Sequence, residues 1–143
     1  MRWAGVLCVL GVLAAGCVGP SRTDSDYARK ASHAAESMIS ALETARLTAE
    51  AAGGGRSPAP YTSLTMSRAE RDGDGIVSTF APVQPPSERS DRVRAELLAV
   101  FEECKGVLSE LRITARRGTL SELPRIASGI GPLTGELRRF VRP

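Results

Sequence analysis

Apolar residues recur at steps of three and four through most of the chain, which is the period of an α-helix. The clearest stripe lies in residues 90–117 and comprises Leu97, Phe101, Cys104, Leu108 and Leu111. A second stripe runs from Tyr27 to Ala49 and is rich in alanine, so a partner helix can approach it closely. The two patterns predict a first helix over residues 24–52 and a third over residues 90–117.

Capping residues delimit these two helices. Candidate N-caps are Thr23, Asp24 or Ser25 for the first helix and Ser90 or Asp91 for the third. Glycine is the residue that most often ends a helix, and it follows the first at residues 53–55 and the third at Gly118. Residues 83–87, with two prolines, form a stiff connection between the third helix and the segment before it.

Residues 61–83 leave two alternatives open. Their two β-rich arms, with residues 71–75 as a turn, are typical of a hairpin. Against this, Met66 to Phe80 keep a three-four helical step across the glycines, each of which costs about 1 kcal/mol inside a helix. A lone hairpin is also marginal in water. We therefore predict a second helix over residues 60–80, frayed or kinked near Gly73.

The last segment repeats the helical pattern from Ile126 to Phe140. With Ser121 as its N-cap, Pro124 falls in the first turn, where its missing N–H costs little. The Gly-Pro pair at residues 131–132 interrupts the pattern and predicts a kink or two short helices. The predicted fold is an all-α bundle of four antiparallel helices in one domain, residues 24–143, with the third helix central and the last one kinked.

The N-terminal residues follow a different pattern. Arg2 precedes an uncharged run of fourteen residues, 3–16, which is too short to span a bilayer but suits a signal peptide. Small residues occupy 14–16, immediately before Cys17. This arrangement resembles the bacterial lipoprotein signal, with Ala14 where leucine is commonest.

That resemblance implies that residues 1–16 are a signal peptide, cut between Gly16 and Cys17. It also implies that Cys17 carries a lipid anchor of diacylglyceryl and palmitate-type acyl chains. Residues 17–23 would then be a flexible tether on the outer face of the cell membrane. An ordinary secretory signal with an unmodified Cys17 is the first alternative, and a cytosolic protein with an apolar leader is the second.

Composition narrows the class of protein further. Removal of residues 1–16 from the 143 leaves 127, enough for one core. All but two of the 19 basic residues are arginine and asparagine is absent, which is typical of a high-GC genome. Residues 84–86 before a long helix and residues 112–118 at its end resemble small actinobacterial lipoproteins, a group that has no established activity to carry over.

Few residues are candidates for a chemical site. His33 is the only histidine and lies off the apolar stripe, so we interpret it as a solvated residue. Asp72 and Asp74 resemble the start of a calcium loop, but the later oxygen ligands are missing. Cys104 lies on the apolar seam, so we expect it to be buried and inert rather than reactive.

The C-terminal part is strongly basic. Between Arg112 and Arg142 seven arginines face two glutamates, a net +5, whereas the rest of the mature chain is −3. We interpret this as a solvated helical face, and attraction to anionic lipid or cell-wall polymer is the alternative. Nucleic acid is not an expected partner outside the membrane.

No set of residues predicts catalysis, a metal site or a cofactor, so we do not expect an enzyme. The leading hypothesis is a lipid-anchored, non-catalytic helical module that binds another envelope protein or has a structural role. The alternative is a small-ligand sensor or carrier with a cavity between helices one, two and four. An apolar pocket with converging polar groups would favour that alternative.

Overall fold

The computed structural model describes residues 21–141, of which 82% are helical, and no strand occurs among them. The helices are α1 (Asp24–Gly53), α2 (Ala59–Phe80), α3 (Glu88–Arg117), a short 3₁₀ turn (Leu120–Glu122), α4 (Leu123–Ala127) and α5 (Ile130–Arg138). Because α4 and α5 form one bent unit, the predicted bundle of four helices is confirmed. The predicted signal peptide, Gly16 and Cys17 lie outside the described residues.

The two long helices α1 and α3 form the centre of the bundle. They begin side by side, because the Asp24 carboxylate accepts hydrogen bonds from Ser87 Oγ at 2.6 Å and Ser90 Oγ at 2.7 Å. α2 packs on both of them, and α4 and α5 also pack on both. The third helix is therefore central, as predicted, but it shares that position with α1. In the part of the chain that is described, no helix is long and apolar enough to cross a membrane.

α1 begins and ends close to the predicted residues. The Thr23 hydroxyl caps it by accepting a hydrogen bond from the Asp26 N–H at 3.1 Å. At the other end Gly55 has a φ of 69°, a left-handed conformation that favours glycine. This lets Arg56 N–H reach the Ala51 carbonyl at 2.8 Å, which satisfies one of the free carbonyls at the helix end.

α2 resolves the alternative between helix and hairpin in favour of the helix. It is continuous through Gly73 and Gly75, so the fraying expected near Gly73 does not occur. Tertiary packing explains why: Gly73 is buried, and a Cβ there would lie 2.9 Å from Leu108 Cδ1 of α3. The glycine that weakens the helix locally therefore lets α3 approach it.

The N-cap of α3 lies three residues before Ser90, the earlier of the two predicted caps. Its N-cap is Ser87, whose hydroxyl accepts a hydrogen bond from the Ser90 N–H at 3.3 Å, so the prediction of Ser90 or Asp91 is wrong. The Asp24 carboxylate explains the choice, because it binds the hydroxyls of both serines. The end at Arg117 is confirmed, and Gly118 follows it with a φ of 80°.

The last helix is divided one turn earlier than the Gly-Pro pair suggests. Ser121 lies inside the 3₁₀ turn and does not act as an N-cap. The break falls at Ser128 and Gly129, and α5 then bends by 35° from α4. Pro132 accounts for the position, since it cannot donate to the Ser128 carbonyl and its ring would clash there. Pro132 itself fits in the first turn of α5.

Candidate functional site: a groove between the first two helices

A long groove runs along the outside of the α1–α2 pair, with a volume of about 1230 Å³. We call it the α1–α2 groove. Among the described residues, its lining comes from α1, α2 and Val83, and α3 contributes none. It is therefore a surface feature rather than a cavity within the core. An enclosed small-molecule pocket usually has roughly 300–1,000 Å³, so this groove has room for a larger occupant.

Short side chains make the groove accessible. Its serine and threonine residues are Ser37, Ser40, Thr44, Thr65 and Thr79. Two of these hydroxyls are occupied within their own helices, since Thr44 Oγ1 donates to the Ser40 carbonyl at 2.8 Å and Thr79 Oγ1 donates to the Gly75 carbonyl at 2.8 Å. The floor between the walls is apolar and includes Ala41, Ala69 and buried Phe80. An occupant would therefore contact a shallow, largely apolar surface with polar edges.

Exposed apolar side chains mark one end of this surface. Within residues 21–141 the large exposed hydrophobic side chains are Leu47, Tyr61 and Leu64, which are 57%, 60% and 48% exposed. All of them lie in the halves of α1 and α2 next to the link between those helices. Tyr61 and Leu64 line the groove. Exposed apolar residues that cluster in one place, rather than being scattered, are typical of a binding surface.

The groove also has a positive charge. Lys30, Arg68 and Arg71 line it against the single carboxylate of Asp72. Lys30 pairs with Asp26 at 3.4 Å, but among the described residues Arg68 and Arg71 have no acidic partner. Both arginines are exposed, so they are available to an anionic group on an occupant.

His33 lies in the groove wall rather than in a catalytic cluster. Its side chain is 82% exposed, and its Nδ1 is 3.7 Å from Glu36 Oε2. The predicted exposure is therefore confirmed, although its position beside the groove was not anticipated. Cys104 is buried, also as predicted, and burial raises the pKa of its thiol to about 12.

The candidate calcium loop is part of a helix. Asp72 and Asp74 both lie within α2, where Asp72 lines the groove and Asp74 pairs with Lys105 at 3.7 Å. Consecutive helical positions cannot wrap around a cation as a loop does. Across residues 21–141, no group of three or more His, Cys, Asp or Glu residues lies close enough to hold a metal ion.

In the basic C-terminal region one arginine forms an ion pair, and several others are exposed. Arg112 forms an ion pair with Glu70 of α2 and so contributes to the packing of α3 on α2. The exposed ones are Arg116, Arg117, Arg125, Arg138 and Arg139. Arg116 and Arg117 lie in the last turn of α3, where positive charge favours the helix dipole. Arg142 lies outside the described residues.

A smaller pocket, of about 310 Å³, lies where α1 and α3 begin. Asp24, Tyr27 and Ser90 are among its lining residues. Hydrogen bonds from Ser87 and Ser90 lower the pKa of the Asp24 carboxyl. The Tyr27 hydroxyl is buried without a hydrogen-bond partner in the described chain, and burial raises its pKa. The Asp24 carboxylate already accepts hydrogen bonds from Ser87 and Ser90. We therefore interpret this pocket as part of the contact between the starts of α1 and α3 and not as a ligand site.

Comparison with known proteins provides no assignment: the chain matches no family model, no curated protein and no solved structure. The α1–α2 groove is therefore the candidate site, and the geometry of the described residues is its only support. Sequence reasoning placed a possible cavity between helices one, two and four and missed the outer face of the first two. A usable signal was present, because both walls carry short polar side chains at helical spacing.

Proposed function

We propose that this protein is a lipid-anchored helical module of the cell envelope, which binds a protein partner and has no catalytic role. The observation that carries the proposal is the α1–α2 groove, which combines exposed Tyr61 and Leu64 with a shallow apolar floor. In a cleft of this kind an amphipathic helix can bury its apolar face. The anchor at Cys17 is an expectation from the sequence alone, and it needs its own test.

The position of the exposed apolar residues supports a protein partner rather than the membrane. α1 has 30 residues, which corresponds to a length of about 45 Å. Tyr61 and Leu64 lie at the end of the α1–α2 pair opposite to Ser21, where the chain arrives from the anchor. Along the bundle they are therefore far from the attachment point, where a second protein is more accessible than lipid.

The alternative function is a small-ligand sensor or carrier. The large size of the groove and its mixture of apolar and hydroxyl groups favour it, but its open side does not. Native mass spectrometry of protein purified from membranes distinguishes the two, since a carrier retains a small molecule of fixed mass. A protein that carries no such mass supports the interaction module.

The anchor is tested with Cys17→Ser. Wild-type protein should fractionate with membranes and take up labelled fatty acid, and inhibition of the lipoprotein peptidase should lengthen it by the sixteen residues 1–16. The variant should lose the acyl label and be secreted or remain uncut. A wild-type protein that is soluble, unlabelled and begins at a residue other than Cys17 would contradict the lipid anchor.

A further inference from the structure

We infer that the α1–α2 groove binds the outer face of α3 from a second copy of this chain. This inference rests on the proposed interaction function and names its partner. Three helical stripes carry it: one on each wall of the groove and one on the exposed side of α3.

Both groove walls show the spacing that keeps one stripe of a helix facing a partner. On α1 the lining residues at steps of three and four are Lys30, His33, Ser37, Ser40 and Thr44. On α2 they are Tyr61, Thr65, Arg68, Asp72, Gly75 and Thr79. Alternating steps of three and four are the repeat of helices that pack along their length. The groove therefore offers two aligned walls to a third helix.

The outer face of α3 has the same repeat. Its exposed residues at steps of three and four are Glu96, Ala99, Glu103, Gly106 and Glu110. Ala99 and Gly106 alternate with the glutamates, so another backbone can approach this face closely. A Cβ at Gly106 would meet no atom within 4 Å, which confirms that the face is open. The stripe covers fifteen residues of helix, as does the α1 wall from Lys30 to Thr44, so these two stripes have equal length.

The charges of the two surfaces are complementary. The groove has three basic residues against one acidic residue, and neither Arg68 nor Arg71 has an ion pair among the described residues. In the α3 stripe Glu96, Glu103 and Glu110 likewise have no basic partner within residues 21–141. Contact between copies would bring the two groove arginines close to the three stripe glutamates, so each surface would supply partners for the other.

We expect a head-to-tail contact, in which each copy uses its groove for one neighbour and its α3 face for another. It therefore produces rows or rings rather than only dimers. Confinement of anchored copies to one membrane raises their effective concentration, so a weak contact is sufficient.

Cysteine cross-linking of the full-length protein in cells tests the inference. Arg68→Cys on the groove wall is combined in turn with Glu96→Cys, Glu103→Cys or Glu110→Cys on the α3 stripe. At least one pair should form disulfide-linked dimers and larger multiples on non-reducing gels, whereas each single variant should not. Arg68→Cys with Arg116→Cys is the matched control, since Arg116 is exposed on α3 away from the stripe. The wild-type chain gives the background from its native cysteines.

Charge reversal in the best cross-linking background then tests complementarity. Arg71→Glu alone, or reversal of one of the remaining stripe glutamates to Arg, should lower the cross-linked fraction at least about tenfold, because like charges then face each other. The two reversals in one chain should restore cross-linking, a result that damaged folding cannot produce.

Three results would overturn the inference: only monomers from all three pairs, equal yields from the Arg116 control, or an Arg68→Cys adduct with a different protein. These results are separable from failure of the lipid anchor. A soluble chain that still forms the multiples refutes the anchor alone, and a membrane-bound chain that stays monomeric refutes self-association alone.

Discussion

The inner and outer faces of α2 differ most clearly at two glycines. Gly73 is buried, with Leu108 of α3 and Met38 of α1 in the space that a side chain would need. Gly75, two residues later, faces the groove and has no atom within 4 Å of a Cβ position. α2 therefore has an inner face that packs against α1 and α3 and an outer face that has no neighbour within the described chain. This packing explains why residue 73 is a glycine, but it does not explain why residue 75 is one.

Thiol labelling gives the largest expected difference between the two faces. Cys104 lies in the core and its thiol has a pKa of about 12, raised from 9.0 mainly by burial, whereas Ser40→Cys places a thiol in the groove. At pH 8 the higher pKa alone lowers the thiolate fraction about a thousandfold. Peptide mass spectrometry after iodoacetamide treatment should show rapid labelling at residue 40 and none at Cys104 until the protein is denatured. Similar rates at both positions would contradict a closed core.

Truncation of a leucine on each face should separate them by stability. Leu108→Ala should lower the free energy of unfolding by about 2–5 kcal/mol, because Leu108 is fully buried against α2. Leu64→Ala is the control, and as a substitution on the 48% exposed outer face it should change stability by less than about 0.5 kcal/mol. Urea unfolding monitored by circular dichroism measures both. Equal losses would mean that the outer face is packed as tightly as the inner one.

The two glycines themselves provide a finer test. Gly75→Ala should stabilise α2 by about 0.5–1 kcal/mol, since it adds helix propensity without a clash. Gly73→Ala adds the same propensity but brings its Cβ within 2.9 Å of Leu108 Cδ1. Overpacking typically costs about 1–3 kcal/mol, so Gly73→Ala should be less stable than Gly75→Ala by about that amount. If the two variants have the same midpoint of thermal unfolding, a glycine at residue 73 is not required for the close approach of α3.

The smallest expected effect concerns the polar junction at the start of the inner helix pair. The pKa of Asp24 is lowered in the folded protein by the Ser87 and Ser90 hydroxyls. Its contribution to stability is therefore present above the ordinary carboxyl pKa and is lost as the pH falls through the lowered one. Between pH 5 and pH 2 the Tm of the wild type should fall more than that of Asp24→Asn. Parallel Tm curves for the two proteins would show that this junction does not stabilise the fold.

The long helices could be predicted because their local signals agree with their packing. In α3 the periodic stripe, the final arginines and Gly118 all indicate the same element, and the structure confirms its end. α1 is similar, with Thr23 and the three glycines at its ends. Even the less certain α2 keeps its helical period across Gly73, and tertiary packing then supports the helix.

The errors arise where distant residues decide between local options. Ser87 and Ser90 are both reasonable caps, and the choice depends on Asp24, which is more than sixty residues away. The break near Pro132 is the exception, because its cause is local: the proline cannot donate a hydrogen bond to the Ser128 carbonyl, so the helix is interrupted one turn before the Gly-Pro pair. The groove was missed for the same reason as the cap: a sequence shows that two helices have polar faces, but not that these faces lie side by side.

The order of elements also determines how a mechanical load would pass through the molecule. α1 is the helix that follows the predicted tether, residues 17–23, and the same helix forms one wall of the groove. A pull between an anchored N-terminus and an occupant of the groove would therefore enter along α1 and reach the second wall through the packing of α2 on α1. The contacts of α3, α4 and α5 lie beside this path, so such a pull would load the α1–α2 contact before it loads the rest of the core.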